Sequence, residues 1–155
     1  LIPIVQLASA VFHALVSLAV LLVAFLLLHG APPLTALLLP VVIVPLCCLC
    51  LGLAWLLASL GVYLRDIGQV VGILTSALMF LSPLFFPLSV LPERVQGLVR
   101  LNPLSIPIEE TRRVLLWGNA PDWGPLFAYA AVATGVMWLG YWWFQRTRNG
   151  FADVL

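Results

Sequence analysis

Residues 82–123 read SPLFFPLSVLPERVQGLVRLNPLSIPIEETRRVLLWGNAPDW, and this stretch decides how the rest of the chain is organised. It holds six of the twelve prolines, four of the seven arginines and four of the six acidic residues. Long apolar runs lie on both sides of it. Prolines interrupt helices and charges avoid hydrocarbon, so the stretch predicts short helices rather than a bilayer-spanning one.

The composition predicts an integral membrane protein. Hydrophobic residues make up 63% of the 155-residue chain, charged residues only 8%, and the mean hydropathy is +1.14. Soluble domains carry about 25% charged residues, so this chain has too little polar surface for water. A net charge of +1 without a single lysine argues against nucleic-acid binding. The predicted fold class is all-α.

Four apolar runs are long enough to cross a membrane, since a spanning helix needs roughly 20 apolar residues. Pro40 and Pro45 predict a kink in the second run, and Pro83 and Pro87 interrupt the last third of the third. The four spans are predicted at about residues 3–28, 36–60, 70–91 and 124–144.

Two short helices are predicted between the third and fourth spans, at about residues 92–101 and 106–117. Ser105 suits the N-cap of the second helix, and Gly118 suits its end. Twelve helical residues rise about 18 Å, well short of the roughly 30 Å hydrocarbon core. A re-entrant or interfacial hairpin is therefore predicted, and its charge and position suggest a lid or gate on a path through the membrane.

The chain begins at Leu1 without a methionine or a positively charged n-region, so its first apolar run is not predicted to be a signal peptide. The start instead indicates a piece of a longer protein. Within the spans, His13 is expected to face protein or the path rather than lipid. Ala131 and Gly135 permit close helix approach, within one subunit or across a dimer. The remaining unusual group is three thiols expected to pack as small hydrophobes: Cys47, Cys48 and Cys50.

Five short pieces in order resemble a known family: YLRDI (63–67), SPLFFP (82–87), LPER (91–94), LNPL (101–104) and FADVL (151–155). With an arginine ahead of Gly118, they resemble the permease subunit of polysaccharide and polyol-phosphate ABC exporters. These type-2 membrane domains export O-antigen, capsule or teichoic-acid chains. The family permease has six spans, and this chain resembles its last four.

The resemblance implies a multi-pass protein of the bacterial inner membrane that moves lipid-linked polysaccharide and is not itself an enzyme. Its implied partners are an ATP-binding ABC subunit, a second permease copy, the glycan substrate and membrane lipid. The chain has no GxxxxGK[ST] motif, so ATP and Mg would be bound by the partner, with no cofactor or metal here. Two alternatives stay open: a type-2 exporter of drugs or lipids, and a membrane enzyme acting on lipid-linked sugars with Glu109 and Glu110.

The orientation of the hairpin is predicted differently by two arguments. Counting arginines, four on the hairpin side against three on the other, places the hairpin in the cytoplasm. The resemblance implies an external hairpin and a cytoplasmic C-terminus. The two sets are Arg94, Arg100, Arg112 and Arg113 on one side and Arg65, Arg146 and Arg148 on the other.

The charged residues of the second short helix have two interpretations. Glu109, Glu110, Arg112 and Arg113 either form a solvated face with i, i+3 and i, i+4 pairs, or hinge and seal an external gate that guides an anionic glycan carrier.

Two further groups are candidates. Phe80, Phe85 and Phe86 either pack against lipid or line a path on which sugar rings stack. Arg65 and Asp66 either form a weak loop ion pair or contact the ATP-binding subunit from a cytoplasmic loop.

Overall fold

The computed structural model describes residues 2–30, 33–64, 66–84, 90 and 92–147. Every regular element in these ranges is helical, as predicted, with no strand among them. The elements are α1 (Ile2–His29), a 3₁₀ helix (Leu34–Leu38), α2 (Leu39–Tyr63), α3 (Ile67–Phe80), α4 (Glu93–Arg100), α5 (Ser105–Leu115) and α6 (Trp123–Thr147).

Two helical stretches among the described residues are long and apolar enough to cross a membrane, Pro3–Leu28 and Leu34–Val62. They coincide with the first two predicted spans. Pro40 lies in the first turn of α2, where a missing N–H costs no helical hydrogen bond, so only Pro45 lies inside that helix. Helix α6 has 25 residues, but its tryptophans, tyrosines and glycines make it less apolar. The count of four spans therefore stays a prediction.

The third predicted span, 70–91, is helical only as far as Phe80 among the described residues, and its positions 85–89 and 91 lie outside them. Helix α3 begins at Ile67 and ends at Phe80, and a turn follows through Leu84. The helix stops because Pro83 has no N–H to donate and restricts the residue before it. Fourteen residues rise about 21 Å, so α3 by itself does not reach across a core of roughly 30 Å.

Helices α2 and α6 form the most extensive helix pair, and two glycines set their separation. A Cβ on Gly140 would overlap the carbonyl oxygen of Gly52, and a Cβ on Gly52 would lie 2.6 Å from the backbone of Met137. The predicted small pair is not the contact, because Ala131 and Gly135 are both exposed and a Cβ on Gly135 meets open space. Residues 133, 136, 137 and 140 form the face that packs on α2.

Helices α1 and α3 contribute little to the packed interior of the described chain. No residue of α3 is buried, and the most apolar window of α1 has none either. His13 lies on the exposed surface of α1 beside Phe12, so it does not face the rest of the described chain. Whether His13 faces a partner subunit or the path stays a prediction. Cys47 and Cys48 are half-buried, Cys50 is exposed, and all three are free thiols.

The two short helices pack where α1 and α3 end and where α2 and α6 begin. Helix α5 contacts α2, the 3₁₀ helix and α6, while α4 packs on α5. Their predicted bounds, 92–101 and 106–117, shorten to 93–100 and 105–115. The apolar core at this end joins α5 to α2 and α6 through five buried residues: Leu39, Val42, Val114, Leu115 and Leu126.

Candidate functional site

The turn between α4 and α5 is held by its own polar side chains. Asn102 is buried, and its Oδ1 accepts a 2.9 Å hydrogen bond from the backbone N–H of Leu104. The hydroxyl of Ser105 donates to the carbonyl of Val99 in α4. The prediction that Ser105 caps α5 is therefore wrong, since its side chain bonds to the preceding helix. Helices α4 and α5, with this turn, form one unit, which we call the hairpin.

Asn102 also bonds the hairpin to the end of α3. Its Nδ2 donates a 2.7 Å hydrogen bond to the carbonyl oxygen of Leu78. In a continuing helix that carbonyl would accept from the N–H of Ser82, but Ser82 bonds to Met79 instead. The helix break before Pro83 thus leaves an acceptor that Asn102 satisfies.

Arg112 of α5 bonds to the turn that follows α3. Its Nη2 donates to the carbonyl oxygens of Pro83, at 2.9 Å, and of Leu84, at 3.3 Å. The side chain is 16% exposed, and its Nη1 lies 3.8 Å from a carboxylate oxygen of Glu109. A charged donor to two carbonyls of a broken helix is a strong form of the bond, so Arg112 replaces N–H groups that the turn lacks.

Glu110 ties the hairpin to the start of α6. Its carboxylate is 9% exposed and accepts a 2.8 Å hydrogen bond from the backbone N–H of Asp122. Arg113 lies between the two acids, with Nη1 at 3.9 Å from Glu110 and 3.7 Å from Asp122. An acidic group near a helix N-terminus is favoured, because backbone N–H groups there have no partner within the helix. On its other side α5 accepts a 2.7 Å hydrogen bond from Thr35 to the carbonyl of Val114.

The interpretation of α5 as a solvated charged face is partly corrected. The i, i+3 pairs are present, Glu109 with Arg112 and Glu110 with Arg113. Glu110 is buried, however, and Arg112 is mostly so, because both side chains point at neighbouring elements rather than at solvent. The four residues do meet at one place, where α3 ends and α6 begins.

The enzyme alternative gains no support from this arrangement. Each carboxylate of Glu109 and Glu110 pairs with an arginine, and Glu110 also accepts a backbone hydrogen bond. Among the described residues no group of three or more His, Cys, Asp or Glu side chains could hold a metal ion.

The remaining predicted site residues fall in different places. Phe80 is the last residue of α3 and is 72% exposed. Asp66 is exposed directly before α3, at the opposite end of that helix from the hairpin. Phe85, Phe86 and Arg65 lie outside the described residues, so lining by the phenylalanines and contact of residues 65–66 with an ATP-binding subunit stay predictions.

An apolar cavity of about 690 Å³ lies between α1 and α2. Leu84 and Thr111 line it together with residues of the two helices, so it adjoins the seam between α3 and the hairpin. Its lining is almost entirely apolar, which suits hydrocarbon rather than a hydroxylated ligand.

Three polar residues at this end were not among the predicted site residues: Asn102, Thr35 and Ser105. Asn102 lies in the LNPL piece and Ser105 follows it directly. A polar residue beside a proline is unusual in so apolar a chain, and this could have marked the turn as a site. Thr35 gave no such signal, because its partner in α5 is 79 residues away.

The chain is similar in sequence to known membrane transport proteins. The ABC-2 type transporter family matches residues 3–116, which covers α1 through α5. The O-antigen export system permease protein RfbA of Myxococcus xanthus is 28% identical over 118 residues, covering 75% of this chain and 45% of that protein. This chain thus spans less than half the length of that relative. Since the family match covers most of the chain, and its motifs and apolar helices agree with it, the chain belongs to the ABC-2 type transporter family of membrane proteins.

Proposed function

We propose that this chain is part of the permease subunit of an ATP-driven exporter that moves lipid-linked polysaccharide across the bacterial inner membrane. A separate ATP-binding ABC subunit supplies the energy, and two permease copies form the path. The family match and the relative's role in O-antigen export support the proposal.

The observation that carries the gate in this proposal is the seam between the end of α3 and the hairpin. Polar bonds cross it, from Asn102 to Leu78 and from Arg112 to Pro83 and Leu84. The bond from the Asn102 amide contributes only about 0.5–1.5 kcal/mol net and each bond from the Arg112 guanidinium about 1.5–3 kcal/mol, because water replaces these bonds when the seam opens. The seam can therefore open and close repeatedly in an aqueous path.

The other side of the hairpin is built differently. Val114 and Leu115 pack with Leu126 of α6 and with α2, in a core with no exposed surface at Val114. Separating interdigitated side chains loses all of their packing contacts at once. We infer that the hairpin stays with α2 and α6 while the end of α3 moves away from it.

In this mechanism the hairpin closes the external end of the path. ATP hydrolysis in the partner changes the separation of the spans, the seam residues exchange their protein bonds for water, and the glycan passes beside Phe80. Glu109, Glu110, Arg112 and Arg113 act as the gate residues, with Arg112 on the moving seam and Glu110 on the fixed side.

Two cysteine pairs test whether the seam moves while the hairpin stays fixed to α2 and α6. They are placed in the full-length permease with its ATP-binding partner, in a variant without Cys47, Cys48 and Cys50. Cross-linking Leu84→Cys to Thr111→Cys should close the seam and stop glycan export, with recovery after cleavage of the cross-link. Cross-linking Thr35→Cys to Val114→Cys is the matched control on the fixed side, where the Thr35 hydroxyl bonds to the Val114 carbonyl, and should leave export close to that of the reduced protein. Export that survives the first cross-link contradicts the seam as the gate.

A second candidate is a type-2 exporter of lipids or apolar drugs, which the apolar cavity between α1 and α2 favours. Deletion of the full-length gene distinguishes the two. Loss of surface polysaccharide with internal build-up of the lipid-linked glycan supports glycan export. Unchanged surface polysaccharide with raised sensitivity to apolar drugs supports the alternative.

A further inference from the structure

We propose that a small cavity between the hairpin and the start of α6 binds one sugar ring of the exported glycan. The inference rests on the proposed function and names a substrate subsite within it. The cavity has a volume of about 300 Å³. That is at the small end of ligand pockets, which run from roughly 300 to 1,000 Å³, so it fits a single ring better than a chain.

The cavity is lined by both helices of the hairpin and by α6, so a ligand there touches three elements at once. Trp117 supplies a flat apolar face, and it is 52% exposed. The charged lining comes from two arginines and three acids. The members are Arg100, Ser105, Ile106, Glu109, Glu110, Arg113, Trp117, Asp122 and Pro125.

The polar groups are spaced for hydroxyls to fit among them. Arg113 Nη1 lies 3.9 Å from Glu110 and 3.7 Å from Asp122, which is within ion-pair range but beyond hydrogen-bond length. A sugar hydroxyl can accept from the guanidinium and donate to a carboxylate, so it completes bonds that the side chains do not make with each other. Arg100 has no carboxylate within 4.0 Å in the part of the chain that the structure describes, and it stands exposed at the cavity.

The charge balance selects a neutral ligand over an ionic one. The described charges at the cavity balance: Arg112, just outside the lining, pairs with Glu109, so three guanidinium groups meet three carboxylates and an ionic ligand would leave an uncompensated charge. A cation would meet the two arginines, and the described residues hold no metal-ligand cluster. A pyranose has hydroxyls that serve both signs and a C–H face that stacks on an indole. A neutral sugar matches the whole lining.

Saturation-transfer NMR on the purified full-length permease in lipid nanodiscs tests the site. The probes are methyl glycosides of glucose, galactose, mannose and N-acetylglucosamine, with inorganic pyrophosphate as the ionic probe. We expect saturation transfer to at least one glycoside, weakened about fivefold by Trp117→Ala and largely retained by Trp117→Phe, since the flat ring makes the contact. Trp123→Ala is the matched control, because Trp123 lies at the same end of the chain, is similarly exposed at 43%, and is outside the cavity lining.

Three results overturn the site: no glycoside binds, Trp117→Ala and Trp123→Ala weaken binding equally, or pyrophosphate binds and no glycoside competes with it. Surface polysaccharide measured in the same strains separates this from the proposed function. If export depends on the permease but no glycoside binds, the sugar site is wrong and the proposed function stands. If glycoside binding depends on Trp117 but surface polysaccharide survives deletion of the gene, the sugar site stands and the proposed function is wrong.

Discussion

The side-chain amide of Asn102 donates a 2.7 Å hydrogen bond to the carbonyl oxygen of Leu78, joining the turn of the hairpin to the end of α3. Asn102 is only 4% exposed, and the same side chain accepts from the backbone of Leu104. One residue therefore shapes the turn and satisfies a carbonyl that the proline break leaves without its helical partner.

Replacing Asn102 with alanine removes both bonds and leaves the partly buried carbonyl of Leu78 without its side-chain donor. An unsatisfied buried group costs about 1–3 kcal/mol, so the full-length permease in detergent should unfold at a lower temperature. Asn119→Ala is the control, because Asn119 is exposed in the loop after α5. Equal unfolding temperatures for both variants contradict the assigned role of Asn102.

Arg112→Glu reverses the charge that holds the turn after α3. The carboxylate cannot donate to the carbonyls of Pro83 and Leu84, so the seam should stay open and glycan export should fall about tenfold, the equivalent of 1.4 kcal/mol. Export by Arg112→Lys should lie between that of the wild type and that of Arg112→Glu, since an ammonium donates without the planar fork of a guanidinium. Export at the wild-type level by the glutamate variant, assayed as surface polysaccharide, removes Arg112 from the gate.

Gly140→Ala should destabilise the permease by about 1–3 kcal/mol, because the added Cβ overlaps the backbone of Gly52 and forces α2 and α6 apart. Gly135→Ala places the same methyl group in open space on another face of α6 and should be close to neutral. Thermal unfolding of the two variants in the same detergent gives the comparison. A loss of dimer at Gly135→Ala, measured by cross-linking, would assign that exposed face to the second permease copy.

Glu110→Ala should loosen the start of α6, because the N–H of Asp122 loses its acceptor and Arg113 keeps only its more exposed partner. Glu110→Gln retains an acceptor oxygen and should show a smaller effect. Amide hydrogen exchange at residues 122–126 measures this directly. Exchange that is unchanged in the alanine variant contradicts the cap formed by Glu110.

The orientation of the hairpin is tested by labelling single cysteines in a variant without Cys47, Cys48 and Cys50. Arg100→Cys should react with an impermeant maleimide added outside the cell, and Arg146→Cys at the far end of α6 should be protected. The reverse pattern would place the hairpin in the cytoplasm, as the arginine count predicts.

Most of the helices could be predicted from the sequence because they follow from local properties. Long apolar runs gave α1 and α2 within a few residues, and the prolines and charges gave the hairpin as two short helices. The end of α3 at Phe80 could not be placed from the sequence, because the apolar run continues past Pro83 while the helix stops before it. Four residues of the candidate site and their pairs within α5 were named from the sequence, but their partners in other elements were not.

Composition and residue order alone determined an all-helical membrane protein with a charged hairpin after its third apolar run, because apolar length and helix breaking depend on neighbours in sequence. Only the tertiary structure decided which buried groups meet across the chain. Asn102 reaches Leu78, Arg112 reaches Pro83, and Gly52 meets Gly140, at separations of 24 to 88 positions. Such contacts depend on how the helices pack and on which backbone groups the prolines leave without partners. Neither can be predicted from a local sequence pattern.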